Sequence, residues 1–415
     1  MRVWLTKLGE PLSIDGKVRL HRTGILAEIL AEEGHEVTYW TSTFSHALKK
    51  QRYLSTHILH IRENYRTVLL HAPGYQKNVG IARIMHHRRV AKQFAKRLAN
   101  ELAPDIIFCA FPVVDMISAC LQYAKPRNIP VVVDVRDHWP DIFLNLVPKW
   151  FQPFARLGLQ PAFRANTRIF SAATAITGVS EKQLQWGLAY AGRPKHYLDQ
   201  VFHHGYPALK VTEGEKVKAK EVLRTHDINP DQFICCFFGA ISRQFDLETI
   251  ISAARQLQNQ GIQSIKFVLC GSGSHLEYYR KLAADLQNVV FPGWINQSEI
   301  AVLMEWSKIG LAPYKAEDSM AVPNKPIEYF SGGLPVLSSL HGELENILCE
   351  NDCGFTYEPN NVQGFLDKLL YLYNTPTCRT DMGKNATRLF VSQFSAQRVY
   401  TSLIHHLTKI ANKES

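Results

Sequence analysis

The sequence predicts an α/β protein with two Rossmann-like domains, each a doubly wound parallel sheet, that face a cleft. The first reason is length, because 415 residues exceed what a single hydrophobic core ordinarily holds. The second is alternation, because short apolar runs are separated by stretches of helical periodicity, as in βαβ units. The third is that the apolar runs end in small or polar residues, which is typical of strands whose carboxyl ends line a ligand site.

The N-terminal half contains the first series of these elements. Predicted strands lie at 2–5, 37–41, 56–59, 106–110, 131–135, 175–179 and 201–203, and predicted helices at 19–33 and 78–101. Gly205 and Pro207 then precede the charged stretch 209–220, and this combination indicates a hinge. We therefore predict an N-terminal domain over residues 1–205.

The C-terminal half repeats the pattern. Predicted strands lie at 233–238, 265–269, 289–291, 309–312, 336–338 and 354–357, and predicted helices at 246–259, 275–286, 297–306, 323–331, 362–373 and 378–410. This series predicts a second domain over 206–385. The last helix is long enough for its end, 386–415, to return and pack on the first domain.

The composition is that of a globular cytoplasmic protein. Hydrophobic residues make up 46% of the chain and charged residues 20%, which excludes a disordered or fibrous class. No apolar run approaches the ~18–20 residues of a membrane span, and the N-terminus lacks the apolar segment of a signal peptide. The eight cysteines show no C-x-x-C spacing, which favours buried thiols over disulfides or zinc ligands.

The net charge of +10 indicates an anionic partner. Nucleic acid, anionic lipid and a polyphosphate substrate are the candidates, and no specific nucleic-acid binding is expected because no helix-turn-helix, zinc-finger or RNP-like pattern occurs. Basic residues concentrate at 77–97 and 149–168. The segment 142–170 mixes aromatic with basic residues, which suits contact with anionic lipid and equally suits a helical pair packed on the first domain.

The most informative stretch is 322–337, in which Lys325 and Glu328 precede a Gly-Gly-Leu-Pro stop and a predicted strand. Positions three apart on a helix share a face, so both side chains can contact one ligand. An ammonium suits phosphate oxygens, and a carboxylate accepts hydrogen bonds from sugar hydroxyls, which together describe a nucleotide. A solvated helix face that ends in a glycine cap is the alternative.

Several segments together resemble one family, the retaining glycosyltransferases of the GT-B fold, and within it the nucleotide-sugar-dependent group called family four. The segments that carry the resemblance are 26–30, 34–38, 267–274, 288–293, 311–314 and 323–336. The segment 136–141, Arg-Asp-His-Trp-Pro-Asp, is similar to a branch that builds bacterial surface polysaccharides and includes amino-sugar transferases. A strand end with an Asp-containing turn is the alternative interpretation of this segment.

The resemblance implies that the second domain binds the nucleotide-sugar. Lys325 and Arg243 would contact the leaving diphosphate, which gains negative charge as its bond to the anomeric carbon breaks. Glu328 would hold the ribose, and the main chain at Trp294 and Ile295 would grip a uracil base. The other implied residues of this site are Gly239, Gly271, Gly273, Ser319, Met320 and Asn324.

Met320 departs from the family pattern, because it stands where a second glutamate is common. The change suits a donor sugar that lacks a hydroxyl at that point. Arg243 departs as well, since it is followed by Gln244 where the family usually adds a lysine.

The resemblance also implies that the first domain binds the acceptor. Gly16 would let a phosphate or the acceptor approach the loop after the first strand, and Asp137, with His138 behind it, would face the acceptor as a catalytic group or as an electrostatic partner. The catalytic candidates are thus Asp137, His138, Arg243 and Lys325. No Asp-x-Asp metal motif is present, so we expect a metal-independent reaction without a cofactor.

The predicted function is that of a retaining glycosyltransferase of surface polysaccharide biosynthesis, such as that of lipopolysaccharide or capsule. It would move a sugar from a UDP-linked donor to a glycan or polyprenyl-linked acceptor. We also expect peripheral contact with an anionic membrane surface, at the inner face of the cytoplasmic membrane. A GT-B-fold epimerase or phosphorylase and a non-catalytic nucleotide-binding homologue are the alternatives.

Overall fold

The computed structural model describes residues 1–16, 19–78, 80–315 and 321–413. Contacts within the chain divide it into two compact units. Unit 1 comprises Met1–His203 and Val399–Ser415, and unit 2 comprises His204–Arg398. The returning segment therefore begins later than residue 386, because Leu389 and Phe394 are still part of the hydrophobic core of unit 2.

Strands and helices alternate along unit 1. In chain order they are β1 (Arg2–Thr6), α1 (Arg22–Glu32), β2 (Glu36–Ser42), β3 (Phe44–Ser45), β4 (Lys50–Gln51), β5 (His57–Arg62), β6 (Tyr65–Leu70), α2 (Ile81–Arg97), β7 (Ile106–Ala110), α3 (Val114–Ala124), β8 (Val131–Val135), α4 (Gln152–Gly158), α5 (Gln160–Ala172), β9 (Ala175–Gly178), α6 (Glu181–Ala191) and β10 (Gln200–Val201). Two 3-10 segments, Asp141–Leu146 and Lys149–Phe151, precede α4.

The sheet of unit 1 has eight strands in the order β10-β9-β8-β7-β1-β2-β6-β5. All neighbours are parallel except β5 and β6, which form an antiparallel hairpin. The sequence prediction of a wholly parallel sheet was wrong at this edge, and it missed β6. The reason is the two-residue turn Glu63–Asn64, which is enough for an antiparallel hairpin, whereas parallel strands need a longer crossover.

The core of unit 1 lies on both faces of the sheet. Strands β7 and β8 are buried over their whole length, and such continuous apolar strands are typical of parallel sheets covered by helices on both faces. Trp4 and Trp40 pack edge to face with ring centroids 5.5 Å apart, and Phe94 of α2 lies 4.9 Å from Trp40. This aromatic cluster anchors α2 on the sheet.

Unit 2 repeats the alternation. In chain order its elements are α7 (Glu213–Thr225), β11 (Phe233–Phe238), α8 (Leu247–Asn259), β12 (Ile265–Cys270), α9 (Leu276–Leu282), β13 (Val289–Val290), α10 (Gln297–Trp306), β14 (Ser307–Ala312), α11 (Asn324–Ser331), β15 (Val336–Ser338), α12 (Glu343–Glu350), β16 (Gly354–Thr356), α13 (Val362–Asn374), α14 (Pro376–Leu389) and a π-helical turn (Phe390–Phe394), after which α15 (Ala396–Asn412) leads back into unit 1.

The sheet of unit 2 is wholly parallel, in the order β13-β12-β11-β14-β15-β16. From β11 the chain adds β12 and β13 on one side and then crosses to add β14, β15 and β16 on the other. The strand order therefore reverses between β11 and β14. In open α/β sheets ligands bind outside the carboxyl ends of the strands at such a switch point.

The last predicted helix is interrupted in the structure. Residues 378–410 were predicted as one helix, but the chain breaks between α14 and α15, where Ser395 has an extended backbone. The break lets Phe394 accept a hydrogen bond from the Tyr206 N–H at 2.9 Å, and Tyr206 accepts one from the Ala396 N–H at 2.9 Å. These backbone hydrogen bonds with Tyr206 outweigh the helical periodicity of the sequence.

None of the described helices is both long and apolar enough to cross a membrane. The eight cysteines are free thiols and most are buried, as the sequence predicted.

We predict that α11 packs closely on the sheet because Gly310 of β14 has no side chain. A Cβ at this position would lie 2.3 Å from the ring of Tyr329, which is fully buried and donates a hydrogen bond to the Leu311 carbonyl at 2.9 Å. Because neither group can move freely, we expect G310A to lower the free energy of unfolding of unit 2 by about 2 kcal/mol, as measured by urea denaturation.

The matched control is G214A in the first turn of α7, where a Cβ would meet nothing within 4 Å. We expect this variant to leave stability unchanged or to raise it by about 0.5 kcal/mol, because alanine is the better helix former. Equal effects of the two substitutions would contradict the packing argument.

Candidate active site

Three loops lie side by side at the carboxyl ends of β11, β12 and β14. The Gly239 N–H donates to the Cys270 carbonyl at 3.0 Å, which joins the first loop to the second. The Asp246 N–H donates to the Pro313 carbonyl at 2.9 Å, which joins the first loop to the third. We call residues 239–246, 271–275 and 313–315 the switch-point loops. They form a fixed backbone surface where the strand order of unit 2 reverses.

Glycines allow these loops to approach one another. Gly239, Gly271 and Gly273 have φ angles of +137°, +142° and +156°, which side chains rarely tolerate. A Cβ on Gly271 would lie 1.8 Å from the Gly239 carbonyl oxygen, and one on Gly273 would lie 2.2 Å from that of Ile241. The sequence predicted close backbone approach to a nucleotide here. The backbone that approaches these two glycines in the structure is the neighbouring loop.

Lys325 connects α11 to the end of β11. Its ammonium donates to the Phe238 carbonyl at 2.6 Å and lies 4.5 and 4.9 Å from the ring centroids of Phe237 and Phe245. A Cβ on Gly239 would be 2.1 Å from this nitrogen, so only glycine leaves room for it. Among the residues that the structure describes, no side chain caps the N-terminus of α11. The lysine charge and the positive end of the helix dipole therefore lie together at the strand end.

Glu328 shares the half-exposed side of α11 with Lys325, as their spacing predicted. The intervening Pro326 and Ile327 are buried, and so are the residues that follow Glu328. Asn324 is exposed at the first position of the helix. The alternative of an ordinary solvated helix face does not describe Lys325, because a carbonyl and two aromatic rings hold its ammonium in place.

The remaining predicted residues of unit 2 occupy different settings. Arg243 is exposed in the loop before α8, and its side chain makes no hydrogen bond or ion pair with the residues that the structure describes. Trp294 is 71% exposed, whereas Ile295 is buried. The turn before them adjoins the second switch-point loop through a 2.7 Å hydrogen bond from Gly271 to Gly293. Ser319 and Met320 lie outside the described residues.

A buried ion network lies at the carboxyl end of β8 in unit 1. Asp134 is fully buried and accepts hydrogen bonds from Arg22 Nε at 3.0 Å, Arg136 Nε at 2.7 Å and Thr177 Oγ1 at 2.8 Å. Burial alone would raise the pKa of Asp134, but the two guanidinium groups outweigh it and lower the pKa to about 2. Asp134 is therefore ionised over the physiological pH range.

Arg136 also contacts Glu10, so it joins the loop after β8 to the loop after β1. Glu10 is buried and accepts hydrogen bonds from the N–H and the hydroxyl of Thr23, both at 3.0 Å. Burial would raise the pKa of Glu10, but the charges of Arg136 and Lys7 lower it below its usual value. The sequence analysis assigned no role to Glu10. The sequence feature that points to this network is Asp134, the single aspartate inside the apolar run 131–135, because a buried carboxylate requires a partner.

Asp137 and His138 follow this network and have different surroundings. Asp137 is exposed and makes no hydrogen bond or ion pair within the described chain. His138 is half-buried with its ring 5.2 Å from that of Trp186, and its Nε2 is buried without a hydrogen-bond partner among the described residues. Burial and the charge of Lys182 lower the pKa of His138, so its imidazole is neutral at pH 7.

Lys7 is a further charged residue at this sheet edge that the sequence analysis did not select. It follows β1 directly and is half-buried, and burial together with the charge of Arg136 lowers its pKa. Glu10 and Asp137 are close enough to oppose this shift. The sequence feature that could have identified Lys7 is its position directly after the first apolar strand. We call Lys7, Glu10, Arg136, Asp137 and His138 the strand-end cluster.

Gly16 lies on the loop between β1 and α1 that Glu10 connects to this cluster. It is exposed with a φ of +93°, and a Cβ there would meet nothing within 4 Å. The loop is anchored by Asp15, which accepts a hydrogen bond from Arg52 Nε at 2.6 Å. Gly16 therefore offers an open stretch of backbone beside an anchored turn.

Comparison with protein families assigns both units. A model described as Glycosyltransferase Family 4 matches residues 23–198, and a model described as Glycosyl transferases group 1 matches residues 219–389. The chain is a glycosyltransferase. The two models together cover most of the glycosyltransferase, one in each unit.

Solved structures that resemble this glycosyltransferase show a GT-B fold. Sucrose-phosphate synthase from Thermosynechococcus elongatus matches with a TM-score of 0.72 and 14% identity over 100% of both chains. HepE from Anabaena in complex with UDP-glucose matches with a TM-score of 0.65 and 14% identity, over 99% of this chain and 100% of HepE. WaaG, a glycosyltransferase involved in lipopolysaccharide biosynthesis, matches with 0.63 and 15%, over 100% of this chain and 99% of WaaG. The prediction of an α/β protein with two Rossmann-like domains is therefore confirmed.

Among curated proteins, the glycosyltransferase is similar to the 2-deoxystreptamine N-acetyl-D-glucosaminyltransferase of Niallia circulans. The two are 23% identical over 172 residues. The match covers 41% of this chain and 43% of the length of that relative.

Removal of the buried charge should destabilise unit 1 of the glycosyltransferase. We expect D134N to lower the free energy of unfolding by about 3–5 kcal/mol at neutral pH, because two buried guanidinium groups lose a counter-charge. The pKa of Asp134 lies at about 2, below its ordinary 3.8, so its contribution is complete above pH 3.8 and is lost as the pH falls towards 2. The difference between wild type and variant in urea denaturation should shrink over that range.

The matched control is D137N, which removes an exposed carboxylate without an ion pair from the same segment. We expect its free energy of unfolding to stay within about 0.5 kcal/mol of wild type. A D134N protein as stable as D137N at neutral pH would rule out a stabilising network.

Proposed function

We propose that the protein is a retaining glycosyltransferase that moves a sugar from a UDP-linked donor to a lipid-linked or glycan acceptor in surface polysaccharide biosynthesis. The observation that carries the proposal is the Lys325 ammonium, which is fixed at the end of β11 with the Glu328 carboxylate one helical turn away. A cation and a carboxylate at this separation fit the phosphate and the ribose of one nucleotide.

Unit 2 would bind the donor. Lys325, Arg243 and the N-terminus of α11 would contact the diphosphate, and Glu328 would accept hydrogen bonds from the ribose hydroxyls. The main chain at Trp294 and Ile295 would contact the base. The solved complex of HepE with UDP-glucose supports a UDP-linked donor on this fold, and the name of the Niallia circulans relative supports an amino sugar.

The proposed chemistry needs charge stabilisation on the donor side more than it needs a general base. As the bond from the anomeric carbon to the phosphate oxygen breaks, that oxygen gains negative charge, and the Lys325 and Arg243 cations would stabilise it. The acceptor hydroxyl then attacks from the same face and gives its proton to this phosphate oxygen. The product keeps the anomeric configuration, and UDP leaves. No metal ion takes part in the proposed scheme.

Unit 1 would bind the acceptor at the strand-end cluster. Asp137 is exposed and can accept a hydrogen bond from an acceptor hydroxyl, and Lys7 lies close to it. Arg136 Nη2 and His138 Nε2 are buried polar atoms without a protein partner in the described chain, and such atoms are candidate contacts for a substrate. The resemblance of the segment 136–141 to surface polysaccharide enzymes supports the choice of acceptor class.

The test is to incubate the protein with a panel of nucleotide-sugars and a membrane lipid extract, and to measure UDP release and the mass of the lipid product. We expect UDP release only when an acceptor is present, and a product with the anomeric configuration of the donor. We expect K325Q to lower kcat/KM by about 100- to 1,000-fold, because it removes a cation that acts on the developing phosphate charge.

The matched control is K281Q, which neutralises an exposed lysine at the end of α9 and should retain full activity. Nucleotide-sugar turnover without an acceptor would favour the epimerase. Binding without turnover for any acceptor would favour the non-catalytic homologue. Equal activity of K325Q and wild type would remove Lys325 from the mechanism.

We also propose peripheral contact of unit 1 with an anionic membrane. Helix α4 buries none of its residues, whereas α5 buries Asn166, Ile169 and Phe170, so only α5 acts as a packed helix. The Arg83 guanidinium lies 4.7 Å from the Trp139 ring centroid and connects α2 to the segment before α4. The exposed apolar residues of these segments, here called the apolar-basic patch, are Ile81, Ile84, Met85, Ile142, Trp150, Phe151, Phe154 and Leu157, with Lys149 and Arg156 between them.

Vesicle sedimentation tests the patch. Wild type should bind vesicles that contain phosphatidylglycerol in preference to pure phosphatidylcholine, since each basic residue near an anionic surface contributes about 1 kcal/mol. The double variant W150A/F154A should bind at least about tenfold more weakly, because it loses two exposed aromatic side chains that would enter the interface. Y278A, which removes an exposed aromatic of α9 in unit 2, is the control and should bind like wild type. No preference of wild type for anionic vesicles would overturn the proposal.

A further inference from the structure

Unit 1 contains a cavity at the amino ends of β8 and β9, at the edge of the sheet opposite the strand-end cluster. Its volume is about 1040 Å³, and it is lined by α3, the end of α5, the segments that lead into β8 and β9, and the last turns of α15. Apolar side chains form much of the wall, among them Leu121, Ile129, Ile169 and Ile410. A volume of this size is at the upper end of small-molecule sites, which measure roughly 300–1,000 Å³.

Four basic side chains line the cavity. Lys125, Arg168, Lys409 and Lys413 come from three different helical segments, and no aspartate or glutamate of residues 1–16, 19–78, 80–315 and 321–413 is part of the lining. These four side chains make no hydrogen bond or ion pair with any described residue. Arg22, Arg52 and Arg136 of the same unit are each paired with a carboxylate. Four like charges around one cavity repel each other, and an anion would relieve that repulsion.

Neutral polar groups add hydrogen-bonding capacity to the same cavity. The Ser118 hydroxyl and the Gln122 and Asn128 amides line it, and none has a hydrogen-bond partner among the described residues. Thr174 is occupied, because its hydroxyl accepts the Val131 N–H at 3.0 Å. The lining thus offers cations, neutral donors and apolar surface together. Phosphate oxygens and an attached apolar group require this combination.

The cavity is separate from the strand-end cluster. Val131, the first residue of β8, lines the cavity, whereas Arg136 follows the last residue of that strand. Five strand residues span roughly 16 Å. A ligand in the cavity therefore does not contact Asp137 or His138, and it would be neither donor nor acceptor in the proposed reaction.

We propose that this cavity is a binding site for a phosphate ester that carries an apolar group. The phosphate lies among Lys125, Arg168, Lys409 and Lys413, and the apolar group lies against Leu121, Ile129, Ile169 and Ile410. The ester can be a soluble phosphorylated metabolite or the head of a membrane lipid. Both sources present the same chemistry to the site.

The test uses 1-naphthyl phosphate, which combines a phosphate monoester with an apolar fluorescent ring system. Wild type should bind it, and the affinity should fall with rising salt because exposed cations contribute. Inorganic phosphate, which lacks the ring, and 1-naphthol, which lacks the charge, should each bind at least about tenfold more weakly. The double variant R168E/K409E should lose at least about tenfold in affinity for 1-naphthyl phosphate. R168Q/K409Q should lose less than the charge reversal.

The matched control is R127E. Arg127 is exposed close to Lys125 in the chain, its guanidinium lies against the Tyr123 ring, and it does not line the cavity. Its affinity for 1-naphthyl phosphate should equal that of wild type. K325Q, which alters unit 2, should also bind normally. If R168E/K409E binds like wild type, if 1-naphthol binds as tightly as its phosphate, or if K325Q abolishes binding, the site assignment is overturned.

Displacement of 1-naphthyl phosphate separates the two sources of ligand. If the natural ligand is a lipid, phosphatidylcholine vesicles that contain phosphatidate should displace the probe. The same measurement with the W150A/F154A variant separates lipid binding in the cavity from vesicle binding at the apolar-basic patch. Displacement by soluble glucose 6-phosphate or glycerol 3-phosphate, without an effect of the vesicles, would assign a metabolite. Either result supports the site, and displacement by diacylglycerol, which lacks a phosphate, or by sugars alone contradicts it.

Discussion

The double contact of Arg136 with Asp134 and Glu10 is the interaction on which the strand-end cluster of unit 1 depends. Both carboxylates are buried, and an isolated charge in such a position would cost several kcal/mol. The Arg136 guanidinium lowers this cost for both carboxylates by ion pairing. It also joins the loop after β1 to the loop after β8. The exposed Asp137 follows Arg136 directly, so its position is set by an ion network and not by its own contacts.

Unit 2 fixes its loops by a different physical means. Where unit 1 uses buried charge, the switch-point loops use the absence of side chains, because a Cβ at Gly239 or Gly271 would collide with Lys325 or with the neighbouring backbone. Close approach lets the Lys325 ammonium reach the Phe238 carbonyl between two aromatic rings. A cation held in this way loses little conformational freedom when it meets a phosphate, which favours binding through pre-organisation.

The sequence predicted the parts of this molecule that depend on local pattern. The strands 106–110, 131–135 and 233–238 have the predicted bounds, because strands buried on both faces are continuous apolar runs. Lys325 and Glu328 share a helix face as their spacing required. Arg22 could not be assigned in this way, because its partner Asp134 lies 112 positions away and pairing over that distance leaves no local pattern. The break after α14 was missed for the same reason, since it depends on pairing with the distant Tyr206. The hairpin edge was missed although its strands are neighbours in the chain, because the turn Glu63–Asn64 lacks the glycine that marks a two-residue hairpin turn.

The cations that contribute to the net charge of +10 fall into paired and unpaired groups. The most deeply buried cations, such as Arg22 and Arg136, are neutralised by carboxylates and cannot attract a partner. Four cations without carboxylate partners, Lys125, Arg168, Lys409 and Lys413, line the cavity of unit 1, where no acidic residue of the described chain is part of the wall. The roughly 16 Å length of β8 separates this cavity from the strand-end cluster. A single small anion therefore cannot contact the cations at both ends of the strand.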